Sequence, residues 1–413
     1  MKRSLKFMLL AMYVFVIVSA VSAAALQIPD NLPSWRHMDP EKLAGMLKTG
    51  ELIAVDRVGN GAVEMVTIGM LADAPPEKVW KVITDFKGYE ALLPNQLKIE
   101  VLGKSGDTQN VKFSVSVLKV AIIDIKTEYT LKYTLDKPKT AKIDWVEGDV
   151  KNVAGFWELH PVAGGKKTVA IYGITSDLAS ANKFVEKALS EQPATVMAIN
   201  LSSAIIFTKR LMEVAEGRPR SAAPAGSGLT WKTLDKGTLT KLLGGGRTGF
   251  ISRVGNKEIA VAAVLAKQPP EKVWKNLTDF DGYPKRIKQV TKSEVLKKTD
   301  DMARVKMRTE IISLGGPIKI GTEGVTKYFF DKKSKMWSED DEKPRKDVFN
   351  RWELVPLDGG KSTGVVNESV SDISSMGTIA NMMLKMLPAL QISVDLSQGM
   401  IMVDEMRKWS EGK

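Results

Sequence analysis

The chain has no cysteine among its 413 residues. Disulfides, thiolate metal sites and cysteine nucleophiles are therefore excluded. Histidine is nearly absent: His37 and His160 are the only two, which excludes a histidine-rich metal site. Proline is sparse at 18 residues, while hydrophobic residues reach 44%, a balance that builds a core and not a disordered chain. No Lys-Ser/Thr pair follows Gly244-Gly245-Gly246, so that run reads as a turn and not a phosphate-binding loop.

What is present begins with a leader-like segment. Lys2, Arg3 and Lys6 precede an apolar run from Phe7 to Val18, and Val21-Ser22-Ala23 supplies the small residues of a cleavage site. This pattern predicts a signal peptide over residues 1–25 and a bacterial, periplasmic protein. The alternative is an uncleaved N-terminal membrane anchor, because the run to Leu26 approaches spanning length.

Beyond it the chain repeats itself. Pro75-Pro76-Glu77-Lys78-Val79-Trp80-Lys81 recurs as Pro269-Pro270-Glu271-Lys272-Val273-Trp274-Lys275, and both copies continue into Thr-Asp-Phe-x-Gly-Tyr at Thr84–Tyr89 and Thr278–Tyr283. Trp157-Glu158-Leu159 matches Trp352-Glu353-Leu354, Leu201-Ser202 matches Leu396-Ser397, and Val58-Gly59-Asn60 matches Val254-Gly255-Asn256. The offset stays between 194 and 196 residues throughout. That is far longer than a solenoid repeat, so whole domains are duplicated. The small, Pro- and Gly-containing stretch at 218–230 reads as a linker between domains at 26–217 and 231–413.

Each copy reads as α+β. In the first, Asp39 can cap a helix over Pro40–Leu47, and Gly59-Asn60-Gly61 joins two β-branched runs as a hairpin. Pro76 suits the first turn of a helix. Phe113–Val117, Tyr129–Tyr133, Val153–Leu159 and Thr168–Ile174 read as antiparallel strands with one apolar face. Helix follows over 181–189 and again from Pro193 to about Ala215. The last helix must cover the sheet, because nothing else in the copy can.

This element order, with its Pro-Pro-Glu-x-Val-Trp and Thr-Asp-Phe-x-Gly-Tyr segment, resembles the START-like (SRPBCC) superfamily, which includes polyketide cyclase-like and coenzyme Q-binding START proteins. The resemblance covers about residues 40–217 and 235–412. It implies two helix-grip domains, each a curved antiparallel sheet wrapped around a long C-terminal helix, with an apolar cavity between them. It also implies binding of a lipid, isoprenoid, quinone or other hydrophobic molecule, with cyclase or hydrolase chemistry in the same cavity, or a non-binding scaffold, as the alternatives.

Expected cavity positions are Phe113, Val115 and Val117 on a strand, Ile199 and Leu201 in the first terminal helix, and Met383, Leu390 and Leu396 in the second. Methionines cluster in the second terminal region, from Met376 to Met406, and suit either irregular ligands or ordinary packing. Pro193 and Pro388 mark a hinge or a plain corner. Charge divides unequally: residues 24–217 carry a net −1 and residues 221–413 a net +8. Lys285, Arg286, Lys288 and Lys292 cluster after the second Gly-Tyr turn, which makes an anionic membrane surface a second expected partner. Nucleic acid is not expected, since no such motif is visible. His160 corresponds to Val355, so no histidine base is shared. Asp85 and Asp279 suit a turn-forming role better than an acid–base one. No catalytic residue, metal or cofactor is expected.

Overall fold

The computed structural model describes residues 26–59, 63–93, 96–120, 123–177, 180, 186, 193–218, 230–254, 257–313, 319–341, 348–376, 381, 384 and 389–412. The expected signal peptide, the tip of the Gly59–Gly61 hairpin, all but the first and last residues of the expected linker, nearly all of the helix expected over 181–189, Met383 and Pro388 fall outside these residues.

Asp39 caps α1 (Pro40–Leu47) as the sequence predicts, accepting a 2.9 Å hydrogen bond from the Lys42 backbone. Strands β1 (Gly50–Val58) and β2 (Val63–Ala72) follow, then α2 (Pro76–Ile83) and α3 (Tyr89–Leu92). Six more strands complete the sheet: β3 (Gln96–Ser105), β4 (Thr108–Val120), β5 (Ile123–Asp136), β6 (Thr140–Gly148), β7 (Lys151–Val162) and β8 (Lys167–Asp177). The unit closes with α4 (Pro193–Glu216). The second unit repeats this as α5 (Lys236–Leu243), β9 (Arg247–Val254), β10 (Lys257–Ala266), α6 (Pro270–Leu277) and α7 (Tyr283–Arg286). Then come β11 (Val290–Lys298), β12 (Met302–Ser313), β13 (Lys319–Asp331), β14 (Lys335–Asp340), β15 (Phe349–Leu357), β16 (Ser362–Val370) and α8 (Leu390–Glu411).

The repeated Thr-Asp-Phe-x-Gly-Tyr segment is a helix stop. Thr84 bonds back to the Trp80 carbonyl at 2.8 Å, and the Tyr89 hydroxyl donates to the Ile83 carbonyl. Thr278 and Tyr283 repeat both contacts at 3.0 and 2.6 Å. The tyrosine hydroxyls thereby satisfy the Ile83 and Leu277 carbonyls at the ends of α2 and α6, while each threonine hydroxyl adds a second bond to a carbonyl its own backbone N–H already meets. Asp85 accepts from the Gly88 backbone at 3.2 Å, and a Cβ at Gly88 would lie 2.5 Å from its carboxylate, so the turn needs glycine.

Both units share one strand order. The first reads β1-β2-β8-β7-β6-β5-β4-β3 and the second β9-β10-β16-β15-β14-β13-β12-β11, with every neighbour antiparallel. The first strands of the two units also pair, from Gly50 opposite Ser252 to Val55 opposite Arg247, making a single sheet of 16 strands. Sequence separates the copies by a linker; the structure fuses them through backbone hydrogen bonds.

Strands near the junction are buried on both faces, hence their continuous apolar runs. On one face Ile53, Val55, Val66 and Ile68 join a core around α4 and α8, which also pack on each other. On the other, Leu52, Ala54 and Met65 meet Trp35, α1, Trp231 and α5. The long helices are apolar where they meet the sheet: Leu201, Ile205 and Leu211 in α4, Leu396, Met400 and Val403 in α8. Each fully buried side chain of this kind contributes about 1.5–3 kcal/mol. Both units are thus α+β helix grips. Among the described residues no helix is long and apolar enough to cross a membrane.

Candidate functional site

Side chains on a strand alternate between faces, so β5 turns Thr127, Tyr129, Leu131 and Tyr133 toward α4 while Lys126 and Glu128 point out to solvent. Phe113 and Val115 on β4, Ile143 on β6, Val153 on β7, and Tyr172, Ile174 and Ser176 on β8 continue the same wall. Opposite them, α4 presents Ile199, Asn200, Ser203, Ala204, Ile206 and Phe207, at the three- and four-residue spacings of one helix face. Tyr89 at the start of α3 and Leu93 just past its end complete the wall. Between these surfaces lies a cavity of about 180 Å³.

One end of the cavity is aromatic. Tyr129 stacks on Phe113 with ring centroids 5.6 Å apart, and Phe207 meets Tyr89 and Tyr172, each at 5.2 Å. Tyr172 also lies 4.5 Å from Trp157. Burial pushes the Tyr129 hydroxyl up to about 12 and holds Tyr89, Tyr133 and Tyr172 well above the ordinary phenol range. These hydroxyls therefore stay protonated, able to donate hydrogen bonds but not to act as bases near neutral pH. The other end carries short polar side chains: Thr127, Ser176, Asn200 and Ser203. The Thr127 hydroxyl is buried, with the residue 1% exposed, and has no hydrogen-bond partner among the described residues.

Of the sequence-predicted cavity residues, Phe113, Val115 and Ile199 line this space. Leu201 is buried in the core and is not on the cavity wall. Leu390 and Leu396 are buried in α8. The side chain of Val117 and all of Met383 lie outside the described residues. Sequence reasoning missed Thr127, Tyr172, Ser176, Asn200, Ser203 and Phe207; the alternation of Tyr129, Leu131 and Tyr133 was the available signal. Lys285 and Arg286 sit on α7, and the Arg286 guanidinium lies 4.1 Å over the Trp409 ring. Lys288 is exposed, and Lys292 lies 3.9 Å from Glu294. His160 is not on the cavity wall but beside Glu158, at 3.7 Å. Burial would raise the Glu158 carboxyl, yet the hydrogen-bonded Arg36 guanidinium and the nearby His160 ring bring it down to about 2. Among the described residues no group of three potential metal ligands occurs.

The second unit places different chemistry at the matching positions. Trp157 pairs with Tyr172 in the first unit, whereas its repeat mate Trp352 pairs with Asn367. The same register sets Ser369 where Ile174 stands, and Ser338 where Ile143 stands. Asp395 takes the place of Asn200. It is buried, accepting from the Ser371 backbone at 3.0 Å and from Gln391 at 3.3 Å. Burial pushes it up to about 6 despite these bonds. Asn367 donates to the Asn350 side chain at 3.2 Å and to the Arg351 carbonyl at 3.3 Å. Hydrogen-bonded polar side chains thus stand where Tyr172 and Asn200 line the cavity of the first unit, while Tyr283 and Tyr328 keep the aromatic character of Tyr89 and Tyr133.

A curved sheet gripping a long helix around an apolar cavity is a ligand-binding fold. Residues 66–198 match the family described as polyketide cyclase / dehydrase and lipid transport, and residues 267–388 match a second family of the same description. The chain carries two domains of this class in tandem. No curated protein matches by sequence. Among solved structures, an aromatase/cyclase from a Streptomyces species is 18% identical, covering 37% of this chain and 94% of its own, with a TM-score of 0.32. The di-domain ARO/CYC BexL is 10% identical and covers 84% of this chain and 99% of its own at 0.28. A STAR-related lipid transfer protein from Xanthomonas axonopodis is 20% identical and covers 40% and 94% at 0.31.

Proposed function

We propose that the chain is an exported binding protein that holds a hydrophobic small molecule in the cavity of its first unit. The observation that carries this reading is the cavity itself, walled by rings from four elements and closed by α4. Removal of apolar surface from water supplies the affinity, at about 25 cal/mol per Å². Aromatic walls add directional contact with unsaturated or ring-bearing ligands. Carriage is favoured over chemistry because acid–base catalysis needs a matched pair within reach of the reacting atoms. Among the described residues lining the cavity, the titratable groups are tyrosines, and burial keeps them protonated. The leader-like pattern over residues 1–25 supports export to the periplasm; N-terminal sequencing of the protein recovered from cells checks that part.

Native mass spectrometry of the protein, purified without detergent and paired with organic extraction, tests the binding reading. A discrete co-purifying apolar mass, one per chain, is expected. A protein that stays empty after exposure to total membrane lipid would count against carriage.

A further inference from the structure

We infer that the cavity selects ligands whose head is a neutral hydrogen-bonding group (a hydroxyl, carbonyl or amide) seated at Thr127, and that it rejects the same apolar body bearing a full charge. This rests on the binding reading above and narrows it to a ligand class.

The starting point is the Thr127 hydroxyl. Among the described residues it has no partner; it is buried at 1% exposure and belongs to the cavity wall. A buried polar atom without a partner costs about 1–3 kcal/mol, and native structures seldom leave one. A hydroxyl both donates and accepts, so an alcohol, ketone or amide on the ligand can satisfy it. Asn200 and Ser203, three residues apart on α4, and Ser176 at the end of β8 belong to the same wall. Together they offer both donors and acceptors, without formal charge.

What surrounds them decides against ions. Among the described residues, no lysine, arginine, histidine, aspartate or glutamate lines the cavity. The charges nearest in sequence to Thr127 are Lys126 and Glu128, and strand alternation turns both outward; Glu128 pairs with Lys112 at 2.8 Å on the exposed face. A carboxylate, phosphate or ammonium entering the cavity would lose its hydration without gaining a counter-ion, which costs far more than burying a neutral head that finds one hydrogen bond. In the second unit the matching helix position is the buried carboxyl of Asp395, already occupied by Ser371 and Gln391.

The experiment titrates the full chain with naphthalene and its hydroxyl, carboxamide, carboxylate and aminomethyl derivatives at about pH 8, following fluorescence of the protein. The hydroxyl and carboxamide are expected to bind at least about tenfold more tightly than the carboxylate and the ammonium. Thr127→Val, nearly isosteric, is expected to weaken naphthol about five- to tenfold, the loss of one hydrogen bond, while naphthalene itself binds no less tightly. Asn200→Leu serves as a second variant, with a smaller loss for naphthol. Equal affinity for carboxylate and hydroxyl, or a folded Thr127→Val protein with unchanged naphthol affinity and preference, would overturn this inference and leave the binding reading standing. If neither naphthalene nor any derivative binds, both fall.

Discussion

Ile53 faces Gly249 across the β1–β9 ladder, and the two stand at the same position of the repeat. The relation between the units therefore passes through this pair as an approximate two-fold axis. The residues differ because of the helix above each. A Cβ at Gly249 would come within 2.6 Å of the Met400 Cε and 2.7 Å of the Leu396 Cδ1, so these two α8 side chains fill the space over β9 that a side chain at 249 would take. Ile53 is wholly buried in the shared core. Gly249→Val is expected to destabilise by about 1–3 kcal/mol through overpacking, and Ile53→Ala by about 2–5 kcal/mol through a cavity. Chemical denaturation of each variant checks both; a neutral Gly249→Val would mean that α8 moves aside freely.

Arg253 joins the units through charge. Its guanidinium meets Glu51 of the first unit and lies 3.2 Å from Glu258, which is also bound by Lys209 on α4. Burial alone would lower Arg253, but Glu51 and Glu258 hold it above its ordinary value. Glu51 is almost wholly inaccessible. Replacing such a pair by apolar residues can be neutral, but removing one partner leaves charge buried. Arg253→Met should therefore cost about 3–5 kcal/mol. Lys98→Ala, at the exposed Lys98–Glu100 contact, should change the unfolding midpoint little. Similar midpoints for the two variants would deny the buried cluster its role at the junction.

The contrast between the units sets a stoichiometry. Tyr172 is part of the aromatic wall, and Asn367 is its hydrogen-bonded polar counterpart. Tyr172→Ala is expected to abolish or strongly weaken ligand retention, whereas Asn367→Ala should leave one ligand per chain. Two ligands per wild-type chain in a native mass spectrum would contradict the asymmetry.

Much of this architecture is legible in the sequence, for definable reasons. Repeated anchors such as Trp157 and Trp352 mark the duplication, Asp39 and Pro193 mark helix starts, and alternation marks β5. Edge strand β3 is harder to read because, of its side chains described, only Ile99 is fully buried, so its sequence lacks an apolar face. The β1–β9 ladder is harder still. A doubly buried strand is apolar whatever its neighbour, so its composition does not say which strand it pairs with. A cavity and a solid core share the same pattern, which is why Leu201 and Ile199 look alike in sequence although only Ile199 meets the cavity. Thr127 and Asn200 carry the polar end, yet in sequence they look like ordinary breaks in amphipathic elements.

Two buried carboxylates make stability depend on pH in an unusual direction. Burial pushes Asp56 from the ordinary 3.8 up to about 7, against the pull of Arg247, and Asp395 up to about 6. A carboxyl with a raised value in the fold binds its proton more tightly there than in the unfolded chain. Its stabilisation is therefore complete below about pH 4 and is lost as pH rises through about 6 to 7. Arg247 has a second partner in Glu64, at 2.6 Å, and one Asp56 oxygen has no hydrogen-bond partner among the described residues, so neutralising Asp56 breaks no hydrogen bond to them at that oxygen. Asp56→Asn should thus raise the unfolding midpoint at about pH 8, with a gain on the order of a few kcal/mol that shrinks toward about pH 5. Asp395→Asn should flatten the profile less, because Ser371 and Gln391 bond the carboxylate it removes. Urea unfolding at a series of pH values reads both effects. An Asp56→Asn profile that runs parallel to the wild type across this range would show that Asp56 titrates as an ordinary carboxylate and that its burial is relieved by water.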